Sequence, residues 1–168
     1  MSDVMLGYAG RDFYDFDDHS YRWIVVKRFE IVGEATTDRA ILAALLAHPR
    51  YRDHYTSADS HEIDCGPLHG PYRLEAITVD SFEPVSEDTA LEVVKEFAEL
   101  LGGASEPLLQ KLVDGVYPLI REARTRYRLR RMPDEALHEF GEILWEFREV
   151  VAIGSENTTA ALIVTGVD

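Results

Sequence analysis

Apolar and polar positions alternate in several different rhythms along this chain. Tyr21 to Val32 (YRWIVVKRFEIV) is rich in β-branched and aromatic side chains and closes at Gly33, which predicts a strand partly buried on both faces. Thr37 and Asp38 open a helix whose body is Ile41, Leu42, Leu45 and the intervening alanines, and His48-Pro49 stops it. Arg50 to Pro71 carries Ser, Asp, Gly and Pro without a period; a loop of this length inside a domain is uncommon and often functional. Tyr72 to Phe82 resumes an imperfect alternation and reads as a strand. Ser86, with Glu87 and Asp88 behind it, caps a helix that runs through Leu91, Val94, Phe97, Ala98 and Leu101 to the stop at Gly102-Gly103. Leu108 to Tyr117 forms another short helix, and Pro118 kinks or restarts it.

The two most regular patterns lie further on. Val116, Ile120, Ala123 and Tyr127 share a narrow sector of a helical wheel, flanked by Arg121, Arg124, Arg128 and Arg131. After Met132-Pro133-Asp134, the residues Leu137, Phe140, Leu144, Phe147 and Val151 recur at spacings of three and four, which predicts a second amphipathic helix with a buried stripe. A competing hairpin would put Trp145, Phe147, Val151 and Ile153 on one face, but Glu149 falls among them. Thr158 to Thr165 (TTAALIVT) is a last strand after the turn Gly154-Ser155-Glu156-Asn157. The first twenty residues show no clear period. The expected fold is α+β: a small mixed or antiparallel sheet packed against a predominantly helical C-terminal half. With no repeat and no linker, residues 1–168 read as a single globular domain.

Composition narrows the setting. Apolar residues make up 46% of the chain, enough for a packed core. Cys65 is the only cysteine, so no intrachain disulfide forms. The longest apolar run, Ala40 to Ala47, falls far short of the roughly 20 residues that cross a bilayer. Residues 1–10 lack the basic and apolar regions of a signal peptide. These features predict a cytoplasmic protein with no membrane partner. The net charge of −14 argues against nucleic acid, which needs an electropositive footprint, and suits a protein partner, a basic one above all.

Three constellations carry candidate chemistry. Six arginines against Glu122 give Arg121 to Arg131 a local charge of +5. Such a segment grips phosphates or carboxylates when exposed. On the predicted helical hairpin, the acids from Asp134 to Glu149 would neutralise it instead. The acidic and aromatic run Asp12, Tyr14, Asp15, Asp17 and Asp18, joined by Arg124 and Arg128, is the candidate surface for a partner. In the loop, His61, Asp64, Cys65 and His69 bear zinc-type atoms, but no CxxC, HxxxH or HExxH spacing organises them. No metal, cofactor or catalytic residue is therefore expected. The sequence reads as a non-catalytic interaction module of inhibitor, immunity-type or regulatory kind. The alternative is a small enzyme or small-molecule binder with a pocket near loop 50–71. The oligomeric state is not encoded in any pattern found.

Overall fold

The last strand in chain order occupies the middle of the sheet. In the computed structural model, which describes residues 4–34, 37–53, 55, 66–141 and 144–167, six antiparallel strands lie in the order β1-β2-β8-β7-β6-β5. They are β1 (Met5–Asp15), β2 (Arg22–Val32), β5 (Phe82–Val85), β6 (Ala123–Leu129), β7 (Trp145–Gly154) and β8 (Thr159–Val167). A separate two-stranded ribbon pairs β3 (Leu68–His69) with β4 (Tyr72–Arg73). Helices α1 (Asp38–Ala47), α2 (Glu87–Glu99), α3 (Glu106–Gly115) and α4 (Tyr117–Arg121) complete the fold.

Both faces of the central strands are covered. On one face Trp23, Val25, Phe29, Val151, Ile153, Leu162 and Val164 pack with Ile41, Leu42 and Leu45 of α1 and with Tyr51 and Tyr55. On the other, Ile24, Val26, Val150 and Ile163 meet α2, α3 and α4 through Val94, Phe97, Leu112 and Ile120. Two-sided burial removes the alternation that a half-exposed strand would show, which is why β2 and β8 read as near-continuous apolar runs. Three helix starts follow the expected chemistry, with Thr37, Ser86 and Ser105 side chains accepting from backbone N–H groups one turn on.

The C-terminal half is not predominantly helical. The helix expected through Tyr127 ends at Arg121, and from Ala123 the chain is strand, paired with both β5 and β7. Thr125, Tyr127 and Leu129 alternate with Arg124, Arg126, Arg128 and Arg130, a period of two overlain on the helical spacing. The second expected helix is absent too. Phe140 is 63% exposed, and β7 holds Phe147 and Val151 in a hairpin with β8. The expected strand Tyr72 to Phe82 is only the two residues of β4, then 3₁₀ turns at Leu74–Ala76 and Val79–Ser81 leading into β5. The unassigned first twenty residues contain β1, whose period is broken by a register shift between Tyr8 and Gly10. No helix among the described residues is long and apolar enough to cross a membrane.

Candidate functional site

Strand β7 places successive side chains on opposite faces, and two of them define the site. Glu149 turns inward, its side chain wholly buried, whereas Arg148 turns toward α2. The Glu149 carboxylate accepts from the Tyr51 hydroxyl at 2.7 Å and lies 2.6 Å from Nε2 of His69. The Tyr51 ring stacks on the His69 imidazole with centroids 4.0 Å apart. Burial, and then the charge of Glu149, push the Tyr51 hydroxyl well above its ordinary range, so it remains a proton donor. Nδ1 of His69 is buried without a hydrogen-bond partner among the described residues.

A second buried charge group lies on the same side of the sheet. Lys27 of β2 reaches Asp53 at 2.9 Å and the Arg50 carbonyl at 2.8 Å, and Arg11 of β1 approaches Asp53 to 3.7 Å. The Asp53 carbonyl accepts from the Gly70 N–H at 2.6 Å, tying the 48–53 loop to the β3–β4 turn. Gly70 has φ +55, and a Cβ there would fall 2.3 Å from the Phe147 ring. Phe147 is thus pressed between this backbone and the rings of Tyr55, His69 and Tyr72, each with centroids 5.8 Å from its own. The polar core fixes one aromatic side chain.

That side chain forms part of a cleft. The β6–β7 ladder stops at Arg128↔Val150, and beyond it the two strands separate. Against β8, β7 also shifts register between Trp145 and Arg148, with Glu146 at φ +53. The opening has a volume of about 610 Å³ and is lined by Arg128, Arg130 and Arg131, by Arg148, and by the carboxylates Glu83 and Glu96. Tyr72, Leu129, Phe147 and Val93 supply apolar wall, and Glu149 contributes to the floor with its carboxylate turned away beneath it. Arg128 is held by Glu83 at 2.5 Å, and Arg148 by Glu146 at 2.9 Å and Glu96 at 3.5 Å. Arg130 reaches Glu83 only at 4.0 Å. Arg131 makes no ion pair among the described residues; burial raises the Tyr72 hydroxyl above its ordinary range, and the Arg131 charge opposes that shift. Guanidinium forks of this kind match planar oxyanions.

The predicted site residues are distributed differently. Arg128 is in this cleft, but Arg124 is paired with Asp38 at 2.5 Å and with Asn157 at 2.9 Å, outside it. Arg124, Arg126 and Arg128 of the run are therefore paired with Asp38, Glu87 and Glu83, not with a following helix. His69 lies in the buried core; His61, Asp64 and Cys65 fall outside the described residues. Asp12 pairs with Arg28, and Tyr14 is half-buried against the α2–α4 side. Asp15 accepts from the Asp17 N–H and Asp18 from the Ser20 N–H, each at 3.0 Å, so the acidic run is a turn with Asp17, His19 and Tyr21 all at positive φ.

Arg22 ends that turn and is itself fully buried. Its guanidinium donates to the Ala98 carbonyl at 3.0 Å, the Phe97 carbonyl at 3.4 Å, the Gly103 carbonyl, Asp18 at 2.9 Å and, through Nε, Ser20 at 2.9 Å. The sequence reading missed Arg22, Lys27, Tyr51, Asp53 and Glu149. Lys27 inside IVVKRF and Glu149 inside an otherwise apolar alternation were the available signals: a charge where a strand is buried on both faces. Compared with protein-family models, curated proteins and solved structures, the chain matches none.

Proposed function

We propose that the protein binds a small anionic ligand in the cleft between β6 and β7. The observation that carries this reading is the convergence of Arg128, Arg130, Arg131 and Arg148 on one opening in a chain whose net charge is −14, with Glu83 and Glu96 in the same lining engaged chiefly by Arg128 and Arg148. Arginines scattered for solubility would be spread over the surface, and the acids that outnumber them would leave none loosely paired. Here Arg130 and Arg131 are the least engaged, and both point to the same concavity. A concave site with a few convergent polar groups over apolar wall is the usual form of a small-molecule site. A reducing, cytoplasmic setting suits a chain with one cysteine.

Thermal denaturation at constant ionic strength tests the reading, with inorganic phosphate, pyrophosphate and citrate as probes. At a hundred times its dissociation constant a ligand adds about 2.7 kcal/mol. For a domain of this size that raises Tm by about 5–10 °C. The Arg130→Ala, Arg131→Ala double variant loses most of the shift. A Tm that no anion moves beyond the chloride control overturns the proposal.

The second reading is the non-catalytic interaction module. It is supported by large aromatics left outside the core, Tyr21 at 68%, Phe140 at 63% and Trp145 at 50% exposure, on an acidic chain. A basic protein partner that binds the wild type but not a Phe140→Ala, Trp145→Ala variant would favour it over the ligand cleft.

A further inference from the structure

We infer that the ligand of this cleft is an aromatic oxyanion, a planar ring bonded to or one short link away from its phosphate or carboxylate. The inference rests on the anion-binding reading and adds the body of the ligand to its head group. Four arginines alone would suit inorganic phosphate, but the cleft has a second half. Tyr72 and Phe147 meet edge to face at an interplanar angle of 89° and 5.8 Å between centroids, and both line the opening with Leu129 and Val93. Edge-to-face packing leaves ring surface facing the space between them, the arrangement into which a third ring fits by offset or T-shaped contact.

This wall is built, not incidental. Phe147 is held from behind by His69 and Tyr55, and the Gly70 backbone comes so near its ring that a methyl group there would collide with it. His69 is in turn fixed by Glu149 and Tyr51. A buried ion-and-aromatic network is costly to assemble unless every member is satisfied. Its outward product is one immobilised ring facing the cleft. Arg131, the guanidinium with no ion pair among the described residues, lines the same opening as Tyr72. Head group and ring sites are therefore adjacent, and the volume of about 610 Å³ exceeds what a bare phosphate fills.

The test compares ligands that share a head group and differ in the ring. Methyl phosphate and phenyl phosphate, and acetate and benzoate as the carboxylate series, are titrated by calorimetry into the full chain. In whichever series binds, the aryl member binds at least tenfold more tightly. Tyr72→Ala removes most of that gap and leaves the methyl or acetate member unchanged. Arg131→Ala weakens both members by the same factor. Equal affinities for aryl and alkyl members in the wild type overturn this inference while leaving an anion site in place; no binding by any of the four overturns it too, and the anion-binding reading falls with it when phosphate, pyrophosphate and citrate also leave Tm unmoved. Because the wild-type comparison needs no substitution, an unstable variant does not blunt the test.

Discussion

Replacing Arg22 is expected to unfasten helix α2 from the sheet. The side chain starts on β2, is fully buried, and donates to the Phe97 and Ala98 carbonyls in the last turn of α2 and to Gly103 beyond it. The Phe97 carbonyl also accepts from the Leu100 N–H, whereas carbonyls at a helix end otherwise lack a next-turn donor, and the helix dipole favours a cation beside them. The guanidinium also covers the Phe16 ring at 4.3 Å. Two or three charge-assisted bonds at about 1.5–3 kcal/mol each, with carbonyls left dry when they go, put Arg22→Ala at about 3–5 kcal/mol. A domain of this kind has about 5–15 kcal/mol in all. With a urea slope near ~2 kcal/mol/M, the midpoint falls by about 1.5–2.5 M. Arg22→Lys recovers less than half, since an ammonium cannot reach carbonyls on both sides of the Gly102-Gly103 stop at once. Amide exchange at 97–103 should accelerate in both variants before global unfolding. A midpoint drop under about 0.5 M for Arg22→Ala would refute the reasoning, because the helix end would then be held by its apolar contacts alone.

Two further outcomes are expected. Phe140→Ala should leave the unfolding free energy from urea titration within about 0.5 kcal/mol of wild type, because the side chain is mostly exposed; a loss of several kcal/mol would restore the buried stripe. Asp18 is drawn down to about 2 from 3.8, chiefly by hydrogen bonds from Ser20 and then by Arg22. A carboxylate depressed in the fold stabilises above its unfolded value, so its contribution is complete above about pH 4 and fades as pH falls toward 2. The urea midpoints of wild type and Asp18→Asn should therefore differ at pH 6 and converge by pH 2, with salt narrowing the gap since the carboxylate is partly exposed. Midpoints that stay apart at pH 2 would refute it.

What could be read from residues was whatever local chemistry decides. Caps at Thr37 and Ser86, the stop at Gly102-Gly103 and the β-branched run of β2 declared themselves, because each depends on neighbours in sequence. Strands β6 and β7 did not. Their arginines and apolar residues satisfy a helical wheel and a strand alternation equally, and only pairing with β5 and β8, set by distant residues, decides between them. Glu149 illustrates the limit. It broke an alternation of which Phe147, Val151 and Ile153, though not the exposed Trp145, do share the core face, because its partners Tyr51 and His69 are 98 and 80 residues away. The cleft was hidden for the same reason: it exists only where two paired strands part.

The position of β8 has a consequence for how the chain acquires its structure. The first two strands and the three before β8 can each pair locally, but the two groups have no direct ladder with one another; β8 alone joins β2 to β7. During synthesis both groups emerge with one edge open, and neither edge closes until residues 159–167 leave the ribosome and enter between them. Non-local closure of this kind is slow, and open apolar edges adhere to one another while they wait. Folding should therefore end with the insertion of a central strand rather than the addition of an outer one.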